Sequence, residues 1–184
     1  MKLLKHYELE GKHAFLSPSK FHWIRYSDEK ILESYKKFKA VEHGTKLHEL
    51  AAMLINEGQR LPDEPKTLNM FVNDAIGFHM NTEQPLKYSD LAFGHADAIC
   101  FRNDILRIHD LKTGEIKAHM EQLMIYAAFF CLEYKIKPTK IKIILRIYQD
   151  NEIFELEPDP DEIVHIMDRT ITSDKIISSY IEQE

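Results

Sequence analysis

Residues 92–114 read Ala92-Phe-Gly-His-Ala-Asp97-Ala-Ile-Cys-Phe-Arg102-Asn-Asp-Ile105-Leu-Arg-Ile-His-Asp110-Leu-Lys112-Thr-Gly114. Ala92 to Arg102 and Ile105 to Leu111 are rich in apolar and β-branched residues and read as strands. Arg102-Asn103-Asp104 supplies a tight turn between them, so the two pair as a hairpin. Thr113-Gly114 then breaks the chain. The hairpin sets Asp97 and Asp110 on adjacent strands, where their side chains can converge. Two carboxylates at one point repel each other, and a divalent cation that takes oxygen ligands relieves the repulsion. Lys112 follows Asp110 by two residues, so on a strand it points to the same face. An ammonium beside two carboxylates and a cation can orient a water and stabilise developing negative charge. That is equipment suited to hydrolysing a phosphodiester. The same residues also have a plain reading: Asp-x-Lys is a common surface ion pair, and Asp97 alone suits a turn or an edge.

Outward from this hairpin the hydrophobic period changes. Pro85 to Ser89 reads as a strand preceding it. Upstream the apolar residues recur at helical spacing. Leu16-Ser17-Pro18-Ser19 reads as a cap leading into a first helical turn. Ser27 or Asp28 caps a helix to about Lys39, with Ile31, Leu32, Tyr35 and Phe38 on one face. Gly44-Thr45 reads as the start of a second helix, with Leu47, Leu50, Ala51, Leu54 and Ile55 as its stripe and Gly58 as its end. A third helix covers about Lys66 to His79. Downstream, Ile116 to Tyr134 reads as a long helix with Met120, Leu123, Met124, Ala127, Ala128 and Cys131 toward a core. Lys140 to Gln149 and Glu152 to Glu157 read as strands around an Asp150-Asn151 turn. Asp159 to Ile181 closes the chain as an acidic amphipathic helix. The expected architecture is α/β (α+β): a mixed central sheet flanked by helices. The expected organisation is a single domain over 1–184, with N-terminal helices over 1–80, sheet and site over 81–158, and an acidic helix over 159–184.

The chain has 184 residues, 44% hydrophobic and 29% charged, with 6 Gly and 7 Pro. That composition suits one sizeable core and excludes a disordered or collagenous chain. The two cysteines, Cys100 and Cys131, are too few for a four-cysteine zinc or iron–sulfur site. Both lie in apolar stretches and read as buried thiols in a reducing compartment. No stretch approaches the roughly 18 apolar residues of a membrane span, and the N-terminus has no run of signal-peptide length. The expectation is a cytoplasmic protein without membrane contact.

The net charge of -6 argues, as a whole-chain figure, against a nucleic-acid partner. Its distribution does not. Residues 150–184 carry 11 acidic residues against 2 basic ones, a net of -9, while residues 1–149 carry a net of +3. Lys36, Lys37 and Lys39, and Lys135, Lys137, Lys140 and Lys142, are candidate phosphate contacts or simply solvated faces.

Taken together, several short motifs resemble one family. Gly94-His-Ala-Asp97, a strand ending Asp110-Leu-Lys112-Thr-Gly114, and a following helix with Gln122-Leu-Met-Ile-Tyr126 are similar to the RecB-like exonuclease branch of the PD-(D/E)XK nuclease superfamily. Gly44-Thr-Lys-Leu-His48 resembles that branch's Gly-Thr-x-x-His element, and Leu16-Ser-Pro-Ser19 its opening segment. The resemblance spans about residues 15–148. It implies a restriction-endonuclease-like αβββαβ core. It implies that Asp97 and Asp110 are metal ligands, joined by His48 and the Leu111 carbonyl, and that Lys112 is the catalytic lysine. Gln122 and Tyr126, one helical turn apart, would brace the site and contact nucleic acid. The cofactor would be Mg2+ or Mn2+, as one or two ions, without an iron–sulfur cluster. The partner would be DNA, together with a second copy of the chain or a recombination or replication protein. Ala96 stands where the superfamily name has proline. Small size suggests, by analogy, a phage or mobile-element protein acting in host cytoplasm. The rival reading is a catalytically inactive nuclease fold that binds nucleic acid or protein. His95 and His109 flank the two aspartates on alternating strand positions and are expected on the opposite face.

Overall fold

The computed structural model describes residues 15–16, 18–114 and 119–183. The chain divides into two compact units, residues 1–43 and 44–184. In the first, a 3-10 turn over Pro18–Arg25 precedes helix α1, which spans Asp28–Asn56 and continues into the second unit. Ser27 caps α1, its Oγ accepting from Lys30 N at 3.3 Å. The Phe15, Tyr35 and Phe38 rings pack together, with Phe15 edge-on to Tyr35 at 5.2 Å.

The second unit contains the C-terminal part of α1, then α2 (Thr67–Gly77), β1 (Asn81–Ser89), β2 (Ala92–Arg102), β3 (Ile105–Leu111), α3 (Met120–Glu133), β4 (Lys142–Gln149), β5 (Glu152–Leu156) and α4 (Pro160–Ile181). The strands form one mixed sheet in the order β1-β2-β3-β4-β5. Only the β3–β4 pair is parallel, and α3 makes the crossover between them. Both two-residue turns, Asn103-Asp104 and Asp150-Asn151, hold left-handed φ values of 50–61°. Those are the conformations that a hairpin following the strand twist needs, and Asn and Asp tolerate them. Asn151 also accepts from Thr67 N at 3.0 Å, tying the β4–β5 turn to the start of α2.

The sheet is covered on both faces. Leu106, Ile108, Leu145 and Ile147 meet Leu123, Ala127 and Ala128 of α3 and Ile163 of α4. Ala98, Cys100, Leu111 and Tyr148 meet Ala51, Leu54 and Ile55 of α1 and Phe71, Val72 and Ala75 of α2. Two-sided burial explains why Ile143 to Gln149 reads as a nearly unbroken apolar run with only Arg146 part-exposed. Helix α3 is apolar nearly all round because it packs against both the sheet and α4. Helix α4 starts with a capping box, Asp159 accepting from Asp161 N and Glu162 reaching back to Asp159 N. Both cysteines are buried and unpaired, as expected, and burial pushes the Cys131 thiol up to about 11.

Two sequence expectations change. The helix expected to end near Lys39 and the one expected to begin at Gly44 are a single α1. Gly44 lies inside it, so the glycine marks a close approach, described below, rather than a start. Strand β1 begins at Asn81, four residues before the expected Pro85, because Asn-Thr-Glu-Gln has the composition of a loop and is held by pairing with β2. Helix α3 is described from Met120; the expected start at Ile116 lies outside the described residues, as does Ser17.

His109 is fully buried on the face away from Asp110, as alternation required, between Phe78 and Tyr148. The Tyr148 hydroxyl donates to Asp74 Oδ2 at 2.7 Å, so its oxygen takes the Nδ1 proton of His109 at 3.1 Å. That leaves Nε2 as a buried acceptor without a partner. Burial, reinforced by Arg146 and Arg107, pushes the imidazole down to about 3. An unfolded histidine titrates near 6.5, so between the two values only the unfolded chain gains the proton. The stabilisation is full above pH ~6.5 and is lost as pH falls, at about 1.4 kcal/mol per unit. Urea unfolding at pH 7 and pH 5 should show wild type losing roughly 2 kcal/mol more than His109→Gln. Parallel stability curves for the two proteins would refute a buried neutral His109.

Candidate functional site

The β2–β3 register pairs Ala98 with His109 and Ile99 with Ile108. Continued one step, it sets Asp97 across from Asp110. The Asp97 side chain closes this end of the hairpin, Oδ2 accepting from Leu111 N at 2.8 Å. Asp110 is buried, with its side chain 4% exposed. Lys112 Nζ donates to its Oδ1 at 3.1 Å and pairs with Oδ2 at 2.9 Å, so the ammonium engages both carboxylate oxygens. Burial and the neighbouring Asp97 charge hold the Asp110 carboxyl above the usual carboxylate range, against the pull of Lys112.

The Lys112 ammonium is also fixed from α3, where Gln122 Oε1 accepts from it at 2.9 Å. Gln122 in turn hydrogen-bonds Tyr126, whose hydroxyl is raised by burial. His48, on α1, places Nδ1 3.3 Å from Asp97 Oδ2, and that hydrogen bond raises its pKa. The side chains expected from the sequence to form a site therefore fall into two contact groups, His48 with Asp97, and Asp110 with Lys112, Gln122 and Tyr126, and the two aspartates act on each other electrostatically. Leu111 sits among them with its amide on Asp97.

The glycines of the motifs are spacers. A Cβ on Gly94 would stand 2.8 Å from Tyr126 Cε1, and one on Gly44 would stand 2.8 Å from Thr113 Oγ1. Neither contact leaves room for a methyl group. The strand exit is held further by Lys112 N donating to Tyr148 O at 2.9 Å and by Gln149 Nε2 donating to Gly114 O at 2.8 Å. Gln149 is buried.

One neighbour was not anticipated. A donor atom from each of His48, Glu83 and Asp97 lies within 4.8 Å of the others. Asp110 is outside that triple and is engaged by Lys112. Burial, then the Asp97 charge, raises the Glu83 carboxyl. Glu83 was missed because its stretch reads as a loop. Continuing the β1–β2 pairing back from Pro85 and His95 would have found it. His95 is exposed, and Glu83 is the acid whose carboxyl its charge lowers.

The donors present suit a hard divalent cation: carboxylate oxygens, one imidazole nitrogen, and close by a buried carboxylate paired with Lys112. No thiolate is near enough to belong to the set.

No family model matches the chain, and no curated protein matches it. A solved structure described as "Crystal structure of SSO0001" aligns over 83% of this chain and 69% of its own, at 18% identity and a TM-score of 0.34. A likeness that weak carries no argument about this chain.

The Gly44 approach gives a direct test. An interior helical Gly→Ala change ordinarily stabilises by about 1 kcal/mol. Gly44→Ala should instead destabilise the wild-type chain in urea. In a Thr113→Ala background it should stabilise, giving a coupling of roughly 1 kcal/mol or more. Additive effects would remove the close contact.

Proposed function

We propose that this chain is a metal-dependent DNA nuclease with a PD-(D/E)XK core of the RecB-like branch, acting as an exonuclease on DNA ends. The observation that carries the reading is the gathering of His48 on Asp97, and of Lys112 on Asp110 and Gln122, at neighbouring points of β2 and β3. These residues come from four separate stretches of sequence, and the resemblance names each of them.

Asp97, Asp110, His48 and the Leu111 carbonyl would hold Mg2+ or Mn2+. When bound, the cation supplies Lewis-acid activation of a phosphodiester and its attacking water. Asp110, buried and paired with Lys112, would gain further from a second positive neighbour. Lys112 holds its ammonium between Asp110 and Gln122, where it can orient a water and meet the charge that builds up on the phosphoryl oxygens. Gln122 restricts the lysine to that position, which a flexible four-carbon stem does not do by itself. Tyr126 is packed against Gly94 and supports Gln122 from the next turn of α3.

Among the basic residues that would meet the DNA backbone, Lys135, Lys137 and Lys140 are exposed. Lys142 is paired with Glu157 at 2.9 Å and Lys37 with Glu33 at 2.7 Å, which makes these two poorer candidates. The acidic α4 would lie away from the substrate or meet another subunit.

Incubation of linear and closed circular DNA with Mn2+ tests the reading. Linear DNA alone should be lost, and a chelator should prevent the loss. Asp97→Ala, Asp110→Ala and Lys112→Ala should each lower the rate by at least about 100-fold with the fold intact. Full activity in Asp110→Ala would reject the site. Chelator-insensitive persistence of both substrates, with DNA retained in a gel shift, would favour the non-cleaving binding module.

A further inference from the structure

Strand β1 starts early, and its added residues bring an acid to the site. Thr82 pairs with Ala98 and Gln84 with Ala96, so Glu83 stands across β2 from Asp97. Glu83 has a φ of 47°, inside the left-handed region. Such a residue leaves the alternation of an extended strand, so period-2 reasoning does not say which face its side chain takes. The structure gives the answer: one donor atom from each of Glu83, His48 and Asp97 falls within 4.8 Å of the other two. Donors around a cation with bonds of about 2.1 Å lie roughly 3–4 Å apart, so a small closure of this triple would suit one ion.

A second observation points to a cation at this place. Asp110 is buried nearby with its Oδ2 paired to the Lys112 ammonium at 2.9 Å, and its carboxyl is coupled to both Asp97 and His48. Three carboxylates thus converge with His48 and one lysine, and the lysine contacts only Asp110 among them. An acid placed beside Asp97, offset only in part by His48 and His95, is unfavourable to the chain by itself and favourable to a bound cation. The residues around it do not explain it as a packing group, since Glu83 is exposed.

We propose that Glu83 is a ligand of the divalent cation, entering from β1 beside His48 and Asp97. The proposal rests on the metal-dependent reading of the site and adds a residue to it. A fourth oxygen donor, beside Asp97, Asp110 and the Leu111 carbonyl, would strengthen the preference for Mg2+ or Mn2+ and tighten binding before DNA arrives.

The test uses the full chain without DNA. Mn2+ affinity is measured by calorimetry and by electron paramagnetic resonance for wild type, Glu83→Gln, Asp110→Asn and the surface control Asp90→Asn. Glu83→Gln should bind Mn2+ at least about tenfold more weakly, while its melting temperature in chelator stays at or above that of wild type. Asp90→Asn should match wild type. Wild-type Mn2+ affinity in Glu83→Gln would overturn the proposal. If Asp110→Asn in that case loses binding, only the Glu83 assignment fails. If wild type binds no Mn2+, the metal-dependent reading fails with it. Should Glu83→Gln melt lower in chelator, Glu83→Asp decides: restored Mn2+ affinity supports ligation, and affinity as weak as that of Glu83→Gln overturns it.

Discussion

Two like charges held on neighbouring strands set the terms for everything around them. Asp97 and Asp110 face each other because the Asn103-Asp104 turn fixes the β2–β3 register, and a one-residue slip would send each to the opposite face. Burial of Asp110 compounds the repulsion. The surrounding chain answers with specific partners. Leu111 N is given to Asp97, Lys112 to Asp110, and His48 to Asp97 from a helix far away in sequence. Each partner is itself positioned by something else, and those supports reach into α1, α3 and β4.

The glycines show how closely those supports fit. Helix α1 can bring His48 to Asp97 only if its backbone passes Thr113, and Gly44 permits that passage. Helix α3 can bring Gln122 to Lys112 only if Tyr126 lies on β2, and Gly94 permits that. In both cases a residue that weakens its own element allows two elements to meet. The local cost of about 1 kcal/mol for a helical glycine is small beside the loss of packing and polar contacts that a forced separation would bring.

Much of this was legible in the sequence. The hairpin followed from alternation and turn chemistry, and the Asp97–Asp110–Lys112 grouping followed from the hairpin. The opposite placement of His109 followed from the same alternation. Helix boundaries were less legible. Gly44 looked like punctuation because a glycine inside a helix has no local justification, and its reason, Thr113, is remote in sequence. Glu83 was hidden twice: its neighbours Asn81, Thr82 and Gln84 have loop composition, and its left-handed φ departs from the strand period. Both misses come from contacts across the sheet, which local periodicity does not encode.

His109 and Asp110 are adjacent in sequence and buried on opposite faces of β3, and they bias stability in opposite directions with pH. The depressed imidazole withholds a proton that the unfolded chain accepts, so acid favours unfolding through His109. The raised carboxyl keeps a proton that the unfolded chain releases, so base favours unfolding through Asp110. Nothing in packing requires an acid at position 110, since Leu106 and Ile108 occupy the same face of β3 as ordinary core residues. A carboxylate there is a burden on the fold that Lys112 offsets in part. His109 carries no such implication, because the Tyr148 and Asp74 contacts already accommodate it in neutral form. The contrast separates a buried polar group held in neutral form by its neighbours from one that depends on the charge of Lys112 for compensation.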